Sequence, residues 1–276
     1  MRKIAALLLL FIIAICIGAC SKPASSFVLE FIDVGQGDST LVECDGHYML
    51  IDGGNKSSGD KVYSVLEERG VQHLDILAVS HMHEDHIGGL AKALTYASAI
   101  DKTIANATDW NTDEFRNFKH QLEGINGSKI SVPYVGEKYS LGSAEVEVVY
   151  ASAEDNNDSL VLLVTYGDTK YLFTGDIEIN AQTKIANQYK NDFDKPFKID
   201  IMKMPHHGAN ASILFIRTFM PDYAVISAGK GNQYNHPYDC TLDRLADADS
   251  RVYRTDVDGD ITVKSDGKEI IVETSR

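Results

Sequence analysis

The chain has 276 residues, 26 basic against 40 acidic side chains, a formal net charge of −14 and 44% hydrophobic residues. That acidity excludes a protein that coats nucleic acid through a basic surface, because affinity for phosphate backbones comes largely from Lys and Arg. Length and apolar content suffice for a large core, and of the four cysteines only Cys44 and Cys240 lie beyond residue 20, too few for a disulfide framework.

Arg2 and Lys3 precede an apolar run at 4–17, followed by Gly18-Ala19-Cys20-Ser21. The run is short for a membrane span, and small residues before a cysteine form the pattern of a bacterial lipoprotein leader. The expectation is a leader at 1–19, cleavage before a lipid-bearing Cys20, a polar tether at 20–26 and one domain at 27–276. The domain would then be held to the membrane outside the cytoplasm; an uncleaved anchor or an ordinary secretory signal would leave it on the same side. Cys44 and Cys240 remain, and outside the cell they can pair if the fold brings them together.

Strand-like runs at 27–33, 39–44, 48–51 and 74–80 alternate with helices at about 61–68 and 87–96. The segment 104–127 is polar and amphipathic and reads as a covering helix, with Asp109-Trp110 and Asp113-Glu114-Phe115-Arg116 as the alternative edge of a cleft. The second half repeats the theme, with strands at 145–150, 160–166, 170–174, 199–204 and 223–227 and helices at 181–188 and 212–219. Gly35-Gln36-Gly37 has no lysine after it and reads as a strand-to-strand turn. Asp256-Val257-Asp258-Gly259-Asp260 lacks the glutamate of a calcium loop, so 253–261 reads as a hairpin with a tight Asp-Gly turn.

The turn after the run at 74–80 carries the chemistry. His81-Met82-His83-Glu84-Asp85-His86 places three of the nine histidines and an aspartate between a strand and a helix. Three imidazoles and a carboxylate suit a borderline divalent ion such as Zn²⁺. His81 and His83, two apart in extended chain, point to one side, whereas Asp85 and His86 fall at the helix start and can serve a second position. Asp176 ends another apolar run; it is either a turn aspartate or a carboxylate able to bridge two cations.

His81-x-His83-x-Asp85-His86 resembles the signature of the metallo-β-lactamase fold superfamily. The further blocks Phe31-Ile32-Asp33-Val34-Gly35-Gln36-Gly37-Asp38-Ser39, Leu50-Ile51-Asp52-Gly53-Gly54, Asn156-Asn157-Asp158-Ser159, Phe173-Thr174-Gly175-Asp176, Pro205-His206-His207-Gly208 and Val252-Tyr253-Arg254-Thr255-Asp256 are similar to the extracellular hydrolase domain of the ComEC competence proteins and its stand-alone relatives. The resemblance spans about residues 27 to 272 and implies an α/β fold, an αββα sandwich of one domain.

It also implies roles. Two divalent ions, Zn²⁺ first and Mn²⁺ as the alternative, would be held by His81, His83, Asp85, His86, a bridging Asp176 and one late histidine. His236 is the preferred late ligand, with His206 and His207 contacting phosphate or protonating the leaving group; the reverse assignment is the alternative. Asp52 would orient a metal-bound histidine, and Asp33 and Asp38 would shape loops or support ligands. Asn156 stands where many members have a histidine, which weakens the first site and admits Mn²⁺. Lys203 and Lys230 are the cations nearest the late histidines in sequence and could steady a phosphate. Asp85 would orient the attacking water as well as bind metal.

The expected activity is metal-dependent hydrolysis of phosphodiesters outside the cell, with extracellular DNA as the implied substrate and a cell-wall phosphorylcholine or teichoic-acid ester as the alternative. The alternative of another class is a non-catalytic, metal-stabilised binding module.

Overall fold

The computed structural model describes residues 26–152, 159–189 and 197–276. An eight-stranded sheet runs, from edge to edge, Ile270–Thr274, Ile261–Ser265, Phe27–Phe31, Thr40–Cys44, His47–Ile51, His73–Val79, Ala99–Ala105 and Ile130–Ser131. A second sheet of seven strands runs Arg251–Arg254, Tyr223–Ile226, Ile201–Lys203, Thr169–Phe173, Val161–Tyr166, Ala144–Tyr150 and Lys138–Leu141. Alternation sets which faces meet: Phe27, Leu29 and Phe31 are buried while Val28 and Glu30 are only partly so. Their ridge packs on Val164, Tyr171 and Phe173 of the second sheet, with the Phe27 ring stacked 4.6 Å from Tyr171.

Helices cover the two outer faces. Val62, Val65 and Leu66 of the helix Gly59–Arg69 and Phe115, Phe118 and Leu122 of the helix Asp113–Gly124 pack on the first sheet. Thr112 caps the latter by accepting from Phe115 N at 3.2 Å. Helices Ile179–Tyr189, Ile213–Phe219 and Asp239–Ala246 bury Ile185, Phe215, Phe219 and Leu245 against the second. One apolar layer between the sheets and one on each outer face make the αββα sandwich expected from the sequence. Among the described residues no helix is long and apolar enough to cross a membrane.

Several expectations are corrected. The helix read at 87–96 is broken into Glu84–Ile87 and Leu90–Ala93, because Gly88-Gly89 presses on the turn after Ile51: a Cβ on Gly89 would lie 2.1 Å from Gly53 O. The segment 253–261 is not a hairpin. Arg251–Arg254 pairs parallel with Tyr223–Ile226 in one sheet, and Ile261–Ser265 pairs antiparallel with Phe27–Phe31 in the other. Between them the chain crosses sheets through the helical turn Thr255–Asp258, where Arg254 N donates to Asp258 Oδ2 at 2.7 Å and Thr255 Oγ1 to Ala228 O at 3.1 Å. Strands Ala99–Ala105, Lys138–Leu141 and Ile270–Thr274 and the helix Asp239–Ala246 add to the elements legible in the sequence. Cys44 is buried, Cys240 is exposed, and both are free thiols, so the fold does not pair them.

Phe27 ties both sheets together, so Phe27→Ala is expected to cost about 3–5 kcal/mol through lost burial and the cavity left behind. Urea unfolding checks it: the midpoint should fall sharply with little change in slope.

Candidate metal centre

Strand direction gathers the site. His47–Ile51 ends on Asp52 and runs parallel to His73–Val79, which ends on Ser80 and His81. In the other sheet Thr169–Phe173, Ile201–Lys203 and Tyr223–Ile226 are parallel, and beyond their carboxyl ends lie Asp176, His206 and His207, and His236. All these residues therefore meet at one rim, where open α/β sheets bind ligands.

Asp176 is the meeting point. Its Oδ2 lies 3.3 Å from His86 Nε2, 3.4 Å from His207 Nε2 and 3.9 Å from both His81 Nε2 and His206 Nε2. His207 Nε2 is also 3.2 Å from Asp85 Oδ2. The candidate ligand atoms of Asp85, His86, Asp176 and His207 all fall within 4.8 Å of one another. On the other side of Asp176, His81 Nε2 and His83 Nδ1 are 3.0 Å apart.

Behind each ring stands a group that fixes its orientation. Asp52 Oδ2 lies 2.8 Å from His86 Nδ1 and accepts from Ser80 Oγ at 2.6 Å, while Asp52 Oδ1 accepts from Ser80 N at 2.7 Å. His207 Nδ1 faces the Ser227 carbonyl at 3.0 Å, so it donates there and leaves Nε2 as a lone-pair donor toward the centre. Ser80 Oγ and Ser159 Oγ hold His81 Nδ1 at 3.1 and 3.3 Å, and Ser159 Oγ accepts from Asp176 N at 2.8 Å. The backbone cooperates: Asp38 N donates to Asp85 O at 3.1 Å, and at Gly37 (φ +136) a Cβ would lie 2.2 Å from that same oxygen. His206 and His207 both take left-handed φ of 48° and 53°, an unfavourable backbone held by His206 N donating to Gly175 O at 3.1 Å.

The electrostatics and donor set fit divalent cations. Burial pushes the His86 and His207 rings toward neutrality, but the carboxylates of Asp176, Asp52 and Asp38 outweigh it and hold both well above the usual imidazole range. Burial likewise opposes ionisation of Asp176, yet the charges of His207 and His86 hold it well below the carboxylate range. His81 is depressed by burial and by His86. His86 Nε2 and Asp176 Oδ1 are buried without a hydrogen-bond partner. Unpaired buried donors and acceptors of this kind, aimed at one point, are what a metal satisfies.

The expected residues divide as follows. His81, His83, Asp85, His86 and Asp176 converge, and Asp52 backs His86. His207, rather than His236, enters the four-residue cluster. His236 stands beside it, its ring 6.1 Å from that of His207 and 5.6 Å from that of His206; burial and those two charges push its pKa down to about 4. His206 has a 39% exposed side chain at the rim. Lys203 is buried and pairs with Asp38 Oδ2 at 2.6 Å while donating to Met204 O at 2.9 Å, so it faces no surface phosphate. Lys230 is exposed on the loop after Tyr223–Ile226. Asn156 and Cys20 lie outside the described residues.

Asp38, expected to shape a loop or support a ligand, is buried, and its Oδ1 lies 3.3 Å from His207 Nδ1. The signal available was its place before a strand at a glycine turn, beside the similar Asp52 block. Ser159 and Ser227, also buried, carry no composition signal at all.

Asp176→Ala should abolish most metal binding while leaving the protein soluble, read as metal per chain after dialysis; full metal content in this variant would sink the centre. In the metal-free protein His86 and His207 hold protons at neutral pH, and binding must expel them. Metal affinity should therefore rise with pH, and calorimetry in buffers of different ionisation enthalpy should show proton release. A pH-independent affinity without proton release contradicts this electrostatic assignment.

Comparison with known proteins agrees with the geometry. The family described as Metallo-beta-lactamase superfamily matches residues 32–230. The chain is 30% identical to ComE operon protein 3 of Bacillus subtilis (strain 168) over 84% of this chain and 32% of that protein. It is 26% identical to Competence protein ComA of Neisseria gonorrhoeae over 86% of this chain and 32% of that protein. It thus spans about a third of the length of these curated relatives. The metallo-beta-lactamase fold protein YhfI of Bacillus subtilis superposes with a TM-score of 0.54 at 12% identity, over 83% of this chain and 96% of that one. The chain belongs to the metallo-β-lactamase superfamily, whose members are mostly metal-dependent hydrolases and whose fold normally binds two divalent metals.

Proposed function

We propose that the protein is a metal-dependent phosphodiesterase acting outside the cytoplasm on DNA or another phosphodiester. The observation that carries this reading is the convergence on Asp176 of imidazoles from both sheets, with His206 open to solvent at the rim. Asp85, His86, Asp176 and His207 would hold one ion, and His81 and His83 would share Asp176 in holding another. Bound divalent cations there supply Lewis acidity, acidifying water and neutralising phosphoryl charge.

The side chains around them do the rest. Asp85, with 29% of its side chain exposed and its other contacts on His207, is placed to orient the attacking water. His207 has both ring nitrogens engaged, so His206 is the histidine free to protonate the leaving oxygen. Similarity to a competence protein supports DNA as the substrate, although it covers 32% of that protein.

Assay of the metal-loaded protein on single-stranded DNA, bis-nitrophenyl phosphate, a phosphorylcholine nitrophenyl ester and a chromogenic β-lactam should show turnover of the phosphodiesters. Exclusive β-lactam turnover overturns the reaction class, and no turnover at all favours a binding module. His206→Gln should lower kcat on DNA by about 10²–10⁴ and much less on bis-nitrophenyl phosphate, because nitrophenolate leaves without a proton. Equal losses on both substrates would remove the acid role.

The placement outside the cytoplasm rests on Arg2-Lys3, the apolar run at 4–17 and Gly18-Ala19-Cys20. Several acyl chains would give stable retention where one gives marginal binding. Metabolic fatty-acid labelling is expected for the native sequence and lost in Cys20→Ser; an unlabelled native protein that still sediments with membranes would mean a simple anchor.

A further inference from the structure

The rings of the site form a connected row. Trp110 meets His83 edge-on at 6.4 Å between centroids, His83 meets His81 at 4.6 Å, and His81 meets His86 at 4.1 Å. The row continues from His86 to His207 at 5.4 Å, to His236 at 6.1 Å, and ends on Tyr234, stacked on His236 at 5.6 Å with 25° between the planes. The two terminal rings come from different sheets. Trp110 follows the strand Ala99–Ala105 of the first, and Tyr234 follows Tyr223–Ile226 of the second. They therefore flank the centre rather than share one side of it.

Each presents part of its ring to solvent. Trp110 packs partly on the core of the first sheet and is only half-buried. Tyr234 is 50% exposed, yet its loop is tightly ordered. Asn232 Oδ1 accepts from Tyr234 N at 3.1 Å and from His236 N at 3.0 Å, while its Nδ2 donates to Gly229 O at 2.9 Å and His236 O at 2.7 Å. Gln36 Oε1 accepts from Gly229 N at 3.1 Å and ties the loop to the first sheet's turn. An exposed ring on a pinned loop is a preorganised binding surface. On the Tyr234 side a groove leads away from Asp85 and Glu84, lined by Gln36, Asn55, Lys56 and Asn232, and Lys56 is exposed there in no ion pair among the described residues.

We propose that Trp110 and Tyr234 stack unpaired bases on either side of the scissile phosphate, so that the substrate is single-stranded nucleic acid. This rests on the phosphodiesterase reading above and names its substrate class. The net charge of −14 leaves few cations to track a backbone, whereas base stacking supplies affinity that every sequence can share. A duplex keeps its bases stacked on each other and presents none to either ring.

Trp110 is the single tryptophan of the chain, so intrinsic fluorescence reports on one of the two platforms alone. The test titrates metal-loaded protein with a thymidine hexanucleotide and with an abasic hexanucleotide, both phosphorothioate-linked so that backbones match and cleavage is suppressed. The thymidine oligomer should quench Trp110 and bind at least about 10-fold more tightly than the abasic one. Tyr234→Ala, with metal content and circular dichroism unchanged as the control for folding, should lose about 10-fold in affinity for the thymidine oligomer and little for the abasic one. Trp110→Ala, followed by anisotropy of a labelled oligomer, should do the same. Equal affinity for abasic and base-bearing oligomers, equal affinity for duplex, or wild-type affinity in both variants would overturn the proposal. Because this readout is binding, failure of the hydrolytic reading appears separately, as base-dependent binding without turnover of the unmodified oligomer.

Discussion

Four imidazole nitrogens aim at one buried carboxylate oxygen, and the architecture around the rim is arranged to tolerate that. Burying a single ionised carboxylate costs several kcal/mol unless it is compensated. Asp176, Asp85, Asp52 and Asp38 are brought together nevertheless, so the compensation must be local. Part of it comes from the protons on His86 and His207 and part from Lys203, a buried cation paired with Asp38. Ser80 donates to Asp52, while Ser159 accepts from the Asp176 backbone N–H and the Ser227 carbonyl accepts from His207, which fix position without carrying charge. Remove any one of these supports and a charge is left in apolar surroundings. The parallel strands make the arrangement feasible, since their carboxyl ends deliver each side chain to the same rim without long excursions of the chain.

Much of this is legible in the sequence alone. The cluster at His81 to His86 declares itself because no core or solvated face needs three imidazoles in six positions, and the alternation in 27–31 states which residues face inward. Other parts depend on contacts far apart in sequence. The pairing of Phe27–Phe31 with Ile261–Ser265 is invisible locally, and the same alternating pattern fits a hairpin or two strands that part company. His207 and His236 are indistinguishable on composition; what separates them is the left-handed turn that swings His207 beneath Asp176. Nearness in sequence to the late histidines suggests a phosphate contact for Lys203, but Ile201, Met202 and Met204 around it are all apolar, a context in which a lysine must find a buried partner. Whether Asp38 shapes a loop or supports a ligand is likewise undecidable locally, because the reach of its carboxylate to Lys203 and His207 crosses from one sheet to the other.

The two sheets are unequal partners. The first supplies His81, His83, Asp85 and His86 from one turn, a compact local cluster; the second supplies Asp176, His206 and His207 from separate strand ends. Changes confined to the second sheet's loops can therefore alter the reach and shape of the rim without touching the histidine-rich turn. The turn itself is clamped by backbone approaches at Gly37 and Gly89, where no side chain can be accommodated.

That division of ligands between sheets has a consequence for the life of the molecule. No set of three donors including both Asp85 and Asp176 exists until strands from each half have docked face to face, so a nascent or half-folded chain offers an ion only the loose grip of a histidine-rich peptide. A bound ion would then be captured late in folding, from the supply around the finished chain, and would link the two halves, so that parting the sheets would require its release.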